Sequence, residues 1–301
     1  MESRQCTFER PNPWSLWHTV RFQRMGKHDP RAILSQDRYV FSTITEEGAA
    51  TVDIVPEVDV VKAELWGPGA RCLESRLPSY LGLDQPLIAA DLQGLPKVLQ
   101  RLRAQGLRRT LRPGSLMETL VPIILQQLVT WREAAATYRT LVKQLGSRAP
   151  GPFSSLHVAP PVTALRNLTS ADLRAMKISG RRAQALMATA RYAERIEAAT
   201  QDENHDRLTK MLMALPGMGP WTTAFYLGLE LGNPNVVPTG DYHLPASVAW
   251  AFRGQRDADD TEMLRILKPY LGNRFDIIRL IMGANIQVPR RTPRMPNRPR
   301  V

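Results

Sequence analysis

The stretch "LPGMGPW", from Leu215 to Trp221, constrains this chain more than any other. Leu215 closes one helical pattern, Gly217 and Gly219 supply the positive-φ conformations of a tight turn, and Pro220 stands where a helix tolerates a missing N–H. Two helices therefore meet at a hairpin. Its exposed backbone N–H groups, together with Met218 at the tip and the positive end of the second helix, form a site for a phosphate oxygen. Such a site grips a nucleic-acid backbone without reading sequence. An ordinary glycine-rich connection between helices fits the same residues.

The chain returns through "NPNVVP" and "TGDYHL", which set Asp241 at the start of the next apolar pattern, "LPASVAWAF". Asp241 reads as the N-cap of that helix and equally as a carboxylate held at the mouth of a cleft. The two readings are compatible, because a cap fixes the geometry of its side chain.

Charge narrows the partner. Forty Lys and Arg against 28 Asp and Glu give a net charge of +12, which favours a polyanion: nucleic acid first, an anionic membrane surface second. No apolar run reaches the roughly 18 residues of a membrane span, and the basic residues are spread along the chain rather than gathered on one amphipathic helix. The N-terminus lacks the features of a signal peptide, so the expected setting is intracellular: cytoplasmic, or associated with the nucleoid in a prokaryote. Cys6 and Cys72 lie far apart, which argues against a disulfide framework or a zinc site, and an iron–sulfur cluster needs about four cysteines. No metal and no cofactor is expected, and the chain reads as a monomer.

At 301 residues the chain can hold two domains. "RYVFSTIT", "EEGA" and "ATVDIV" read as a β-hairpin turning near Gly48, and "VVKAELWG" as a further strand. Beyond the basic connection "AQGLRRTLRPGS" the periodicity is helical. The expected organisation is a β-rich domain over 1–110, a helical domain over 111–288 and a flexible basic tail over 289–301. The fold class is mostly α, with a small antiparallel β-sheet domain preceding the helices. Ser115 and Glu118 have the spacing of a capping box, and Leu116, Leu120, Ile124 and Leu128 follow as an apolar stripe interrupted by Gln126 and Gln127.

"LPGMGPWTTAFYLGLELGNPNVVPTGDYHL" resembles the helix-hairpin-helix DNA glycosylase superfamily, whose pattern is Leu-Pro-Gly-hydrophobic-Gly, a helix, and a Pro-containing loop ending in a catalytic Asp. It is most similar to the AlkA-like branch, the DNA-3-methyladenine glycosylases II. "METLVPIILQQLVTWREAA" and "LRAMKISGRRAQALMATA" resemble further segments of that family, and the likeness covers roughly residues 110–285. It implies that Asp241 is catalytic, that Gly217, Met218 and Gly219 hold the DNA strand, and that Leu128 is a wedge filling the vacated stack, with Gln127 beside it at the minor groove. Simple core packing is the other reading of Leu128. The implied partner is double-stranded DNA containing damaged bases.

Bifunctional members of the superfamily carry a lysine two positions after the second hairpin glycine. Here that position is Trp221, which cannot form a Schiff base, so the resemblance implies a monofunctional enzyme that leaves an abasic site. Trp221 and Phe225 are the candidate aromatic walls of a base pocket, with Met282 where relatives often place an aromatic residue. Gly240 replaces a second acid found in many relatives. His243 stands in place of an aliphatic residue and could polarise water, contact a phosphate or pack in the first turn. Alternatives are a glycosylase for uracil or another neutral base, and a non-catalytic helix-hairpin-helix DNA-binding protein in which Asp241 is only a cap. Arg108, Arg109, Arg112, Arg181 and Arg182 read as phosphate contacts or solvated positive faces, whereas Trp14, Trp17 and His18 read as packing residues.

Overall fold

The computed structural model describes residues 2–88, 92–111, 115–178, 180–202, 204–286 and 288–289. Arg112 and the tail beyond Pro289 lie outside the described residues. Five antiparallel strands form the N-terminal sheet in the order β1-β5-β4-β3-β2: β1 (Ser3–Glu9), β2 (Ala32–Leu34), β3 (Tyr39–Thr45), β4 (Gly48–Pro56) and β5 (Val60–Trp66). The expected hairpin is β3–β4, with Thr45 opposite Gly48. A short helix α1 (Leu16–Val20) precedes β2, and α2 (Ala70–Tyr80) covers one face of the sheet.

The strand β3 is buried on both faces. Tyr39 and Phe41 point into a core shared with α2, where the Phe41 ring stacks on Tyr80 at 4.6 Å and 5°. Val40 faces the other way, against Ala149, Leu156 and Val158, which flank and include the small ladder of β6 (Ser147–Arg148) and β7 (His157–Val158). A segment of the helical half thus closes the outer face of the sheet.

The helices follow as α3 (Lys97–Ala104), α4 (Leu120–Leu125), α5 (Trp131–Leu145), α6 (Ser170–Ala175), α7 (Gly180–Arg191), α8 (Ala193–Gln201), α9 (His205–Met213), α10 (Pro220–Phe225), α11 (Leu244–Arg253), α12 (Asp260–Leu267) and α13 (Arg274–Gly283). They share one apolar core, which also takes Met25, Ile88 and the Leu99 and Leu102 side chains of α3. Because α3 packs on α13, the change of core falls between Leu83 and Ile88, ahead of the change in residue texture near 110. Two buried leucines three apart among lysine and arginine are too few to announce that allegiance in sequence.

The helix expected from Ser115 begins only at Leu120, and the capping box is not formed. Glu118 is buried and turns to the sheet domain, where it accepts from Arg31 Nη1 at 3.0 Å, Thr43 Oγ1 at 2.9 Å and the Ile44 N–H at 3.3 Å. A buried guanidinium within reach outweighs an exposed cap, since leaving that charge unpaired costs about 3–5 kcal/mol against about 1 kcal/mol for a cap. True capping boxes occur at Thr130 with Glu133 and at Thr169 with Asp172. The helix ends at Leu125, so the apolar stripe stops at Ile124. Leu128 lies beyond the helix at φ 57° and is 92% exposed.

Candidate active site

The hairpin joins α9 to α10 and packs on α7. Gly217 has φ 76°, and a Cβ there would stand 2.5 Å from the Arg181 carbonyl oxygen, so only glycine fits. Gly219 differs from expectation: its φ of −146° is extended backbone open to any residue, and a Cβ would meet nothing within 4 Å. The chain itself therefore sets no requirement for glycine at 219. Pro220 is the first residue of α10, as its missing N–H favours.

The helix α10 runs on into a π turn over Tyr226–Glu230, where the Phe275 ring lies 2.4 Å from the position a Gly228 Cβ would take. The returning loop is pinned along its length. Asn235 Oδ1 accepts from the Gly272 N–H and Arg274 Nε, the Pro234 carbonyl accepts from the Phe275 N–H, and Asp260 Oδ2 accepts from the Gly240 N–H. Gly240 itself turns at φ 83°.

This scaffold fixes Asp241 from both sides. Its Oδ1 accepts from the N–H groups of His243 at 2.7 Å and Leu244 at 2.8 Å, so it holds the first free amides as expected, although it stands two residues ahead of the N-cap position, which is His243. Its Oδ2 accepts from Trp221 Nε1 at 2.7 Å. The Trp221 ring meets Phe225 edge-on at 4.9 Å, and Phe225 meets Phe275 at 6.1 Å, so the indole is braced by an aromatic series.

Asp241 stands at a cavity of about 360 Å³ that Trp221, Phe225, Met282 and His243 also line. Residues about 20 to 60 apart in sequence are thus brought to one place. Gln127 and Leu128 do not line it. The Gln127 amide donates to the Gly217 carbonyl at 3.0 Å and to Thr222 Oγ1 at 2.8 Å, tying the loop that carries Leu128 to the hairpin.

Several cavity residues were not legible as part of a site: Phe22, Arg31 and Trp131 carried no signal, Glu118 read as a cap and Gln126 as an interruption of the apolar stripe. Arg31 and Glu118 meet across the two halves of the chain, and no spacing or local pattern links positions so remote. Burial disfavours the Arg31 charge, yet Asp29, Tyr138 and Glu118 around it raise its pKa well above the ordinary arginine value. Among the described residues no group of three or more His, Cys, Asp or Glu is placed to hold a metal. No described helix is long and apolar enough to cross a membrane.

The arginines singled out in sequence serve differently. Arg108 donates to the carbonyls of Pro13 and Gln85, and Arg109 pairs with the buried Asp276. Both are engaged inside the fold. Arg181 is exposed, and Arg182 donates to the Lys177 carbonyl at 2.9 Å.

No family model matches the sequence, and no curated protein matches it. Solved structures do. The 3-methyladenine DNA glycosylase from Archaeoglobus fulgidus superposes with a TM-score of 0.75 at 19% identity, over 92% of this chain and 96% of that one. The Clostridium acetobutylicum 8-oxoguanine glycosylase/lyase gives 0.70 at 13% identity, over 95% and 98%. The Schizosaccharomyces pombe 3-methyladenine DNA glycosylase Mag1, in complex with abasic DNA, gives 0.50 at 18% identity, over 62% and 91%. The chain has the fold of these DNA glycosylases over almost its whole length.

Proposed function

We propose that this protein is a monofunctional DNA glycosylase that flips alkylated purines out of the duplex and hydrolyses their N-glycosidic bond. The observation that carries this reading is Asp241, fixed by three hydrogen bonds at the mouth of an aromatic cavity one side of which is Trp221. The fold supports a glycosylase but does not choose the base, since its relatives include enzymes for 3-methyladenine and for 8-oxoguanine. The cavity supports the alkylpurine choice. Trp221, Phe225 and Trp131 line it, and an aromatic face beneath a cationic base contributes about 0.5–2 kcal/mol. No lysine is among the described residues that line it, which supports hydrolysis over lyase chemistry.

In this mechanism the hairpin holds the strand and Leu128 enters the stack as the damaged nucleotide leaves it. The bond between C1′ and the base nitrogen breaks, its electron pair leaves with the base, and positive charge grows on the sugar. The Asp241 carboxylate faces that charge and stabilises it. Water then adds at C1′ and gives up its proton, which leaves an abasic site. An N-alkylated purine departs as a neutral base and needs little acid assistance. His243, beside Asp241 at the cavity, is placed to orient that water or a neighbouring phosphate.

The test is release of free base from methylated duplex DNA, with uracil and hypoxanthine substrates in parallel and Asp241→Asn as control. Methylated purines should be released without strand cleavage before alkali, and the control should lose at least about 10²–10³-fold in rate while still binding DNA. Release of neutral bases alone would move the reading to a uracil-type glycosylase. Tight binding with no release would leave a non-catalytic DNA-binding protein.

A further inference from the structure

A second groove, of about 1220 Å³, runs beside the base cavity and shares Met25 and Trp131 with it. Its walls are the 25–28 loop of the sheet domain, the first ten residues of α5, the turn after α6 and the start of α7. They carry Lys27, His28, Arg132, Arg139, Lys177 and Arg182. A shallower depression continues from Lys27, His28 and Arg139 to Arg24 and Lys143.

The acids near this tract are already engaged. Glu133 accepts from the Thr130 N–H and hydroxyl, and Asp29 accepts from the Met25 and Arg31 N–H groups and from Arg31 Nη2. Among the described residues, none of Lys27, Arg132, Arg139, Lys143 or Lys177 forms an ion pair. Glu133, which also lines the groove, lies near Lys177 and Arg182 and offsets only part of the positive charge; the remaining cations repel one another in the free protein, and a polyanion lying along them relieves that repulsion. The aromatic face of Trp131, 48% exposed, stands where groove and cavity meet.

Which strand the groove takes follows from the loop that carries Leu128. On one side of Leu128 the Gln127 amide is bonded to the hairpin, and on the other Val129 and Thr130 line the groove. A side chain that enters the base stack lies between the two strands of the duplex. If the hairpin holds the strand bearing the lesion, the groove lies toward the other strand. Resting on the glycosylase reading above, we infer that this groove holds the phosphates of the strand opposite the lesion, and that the sheet domain contributes Lys27 and His28 to that grip.

The test compares wild type with a Lys27→Ala, Arg132→Ala, Arg139→Ala triple variant. The probes are a duplex with one tetrahydrofuran abasic analogue and the same analogue-bearing strand alone. Duplex affinity should fall at least about tenfold, with the salt dependence of log K shallower by about 0.9 for each phosphate that the variant no longer neutralises, while single-strand affinity stays within about twofold. The unchanged single-strand binding also reports an intact fold.

Equal loss on both probes would place the lesion strand in the groove, and no loss on either would make it a solvated face; each outcome overturns the inference. Wild-type protein that binds no DNA would overturn the glycosylase reading with it. Wild-type protein that binds duplex but releases no base would overturn the enzymatic reading alone.

Discussion

The Trp221 indole N–H donates to Asp241 Oδ2 at 2.7 Å, while two backbone N–H groups hold the other carboxylate oxygen. The indole thus fixes the carboxylate oxygen that the backbone leaves open. In Trp221→Phe the ring remains and the donor is lost. A hydrogen bond to a charged group contributes about 1.5–3 kcal/mol, so kcat for base release should fall about ten- to hundredfold. Single-turnover kinetics at saturating enzyme would show it, and an unchanged rate would mean that the backbone pair alone fixes Asp241.

The two hairpin glycines should separate stability from binding. Gly217→Ala puts a side chain at φ 76° and 2.5 Å from a carbonyl oxygen, and should lower stability by about 1–3 kcal/mol in denaturant unfolding. Gly219→Ala, in extended backbone and open space, should leave stability within about 0.5 kcal/mol. If a DNA backbone approaches there, the same variant should bind abasic-analogue duplex more weakly.

An exposed leucine in the left-handed region is held at a cost of about 1–2 kcal/mol. Leu128→Gly relieves that strain but adds backbone freedom to the unfolded chain, so the melting temperature should barely move. Base release from duplex should slow, while release from a single strand carrying the same lesion should not. Equal slowing on both substrates would count against a wedge.

The Arg31–Glu118 pair joins the two halves of the molecule in a nearly dry setting, at side-chain exposures of 2% and 2%. Glu118→Ala leaves a buried guanidinium with Asp29 as its remaining carboxylate partner and should cost about 3–5 kcal/mol in equilibrium unfolding. A loss below about 1 kcal/mol would show that water reaches Arg31 readily.

His18 gives a dependence on acidity. Burial and then the charge of Arg21 hold its imidazole below its ordinary range near 6.5. The folded state therefore binds this proton less readily than the unfolded chain. The stability involved is present above the unfolded value and is lost as pH falls through the lower, folded one. His18→Gln should flatten the decline of melting temperature between about pH 7 and pH 5 relative to wild type.

Sequence by itself determined the features that local chemistry enforces. The Gly217 turn, Pro220 at the head of α10, the β3–β4 hairpin and the helical run of the C-terminal half each follow from conformations their own residues prefer. The meeting of Trp221, Phe225, Asp241, Met282 and His243 at one cavity was legible because four of the five lie within one hairpin, helix and returning loop. Only the tertiary structure decided where charges and amides with several local options would go. Glu118 had the spacing of a cap and became a counterion to Arg31, the Gln127 amide bonded the hairpin, and Arg109 turned inward to Asp276 while Lys27, Arg132 and Arg139 came to line an open groove. The physical reason is common to all of them: backbone preference acts between neighbours in sequence, whereas a polar side chain is settled by burial and by whichever partner the packed chain brings within about 3 Å.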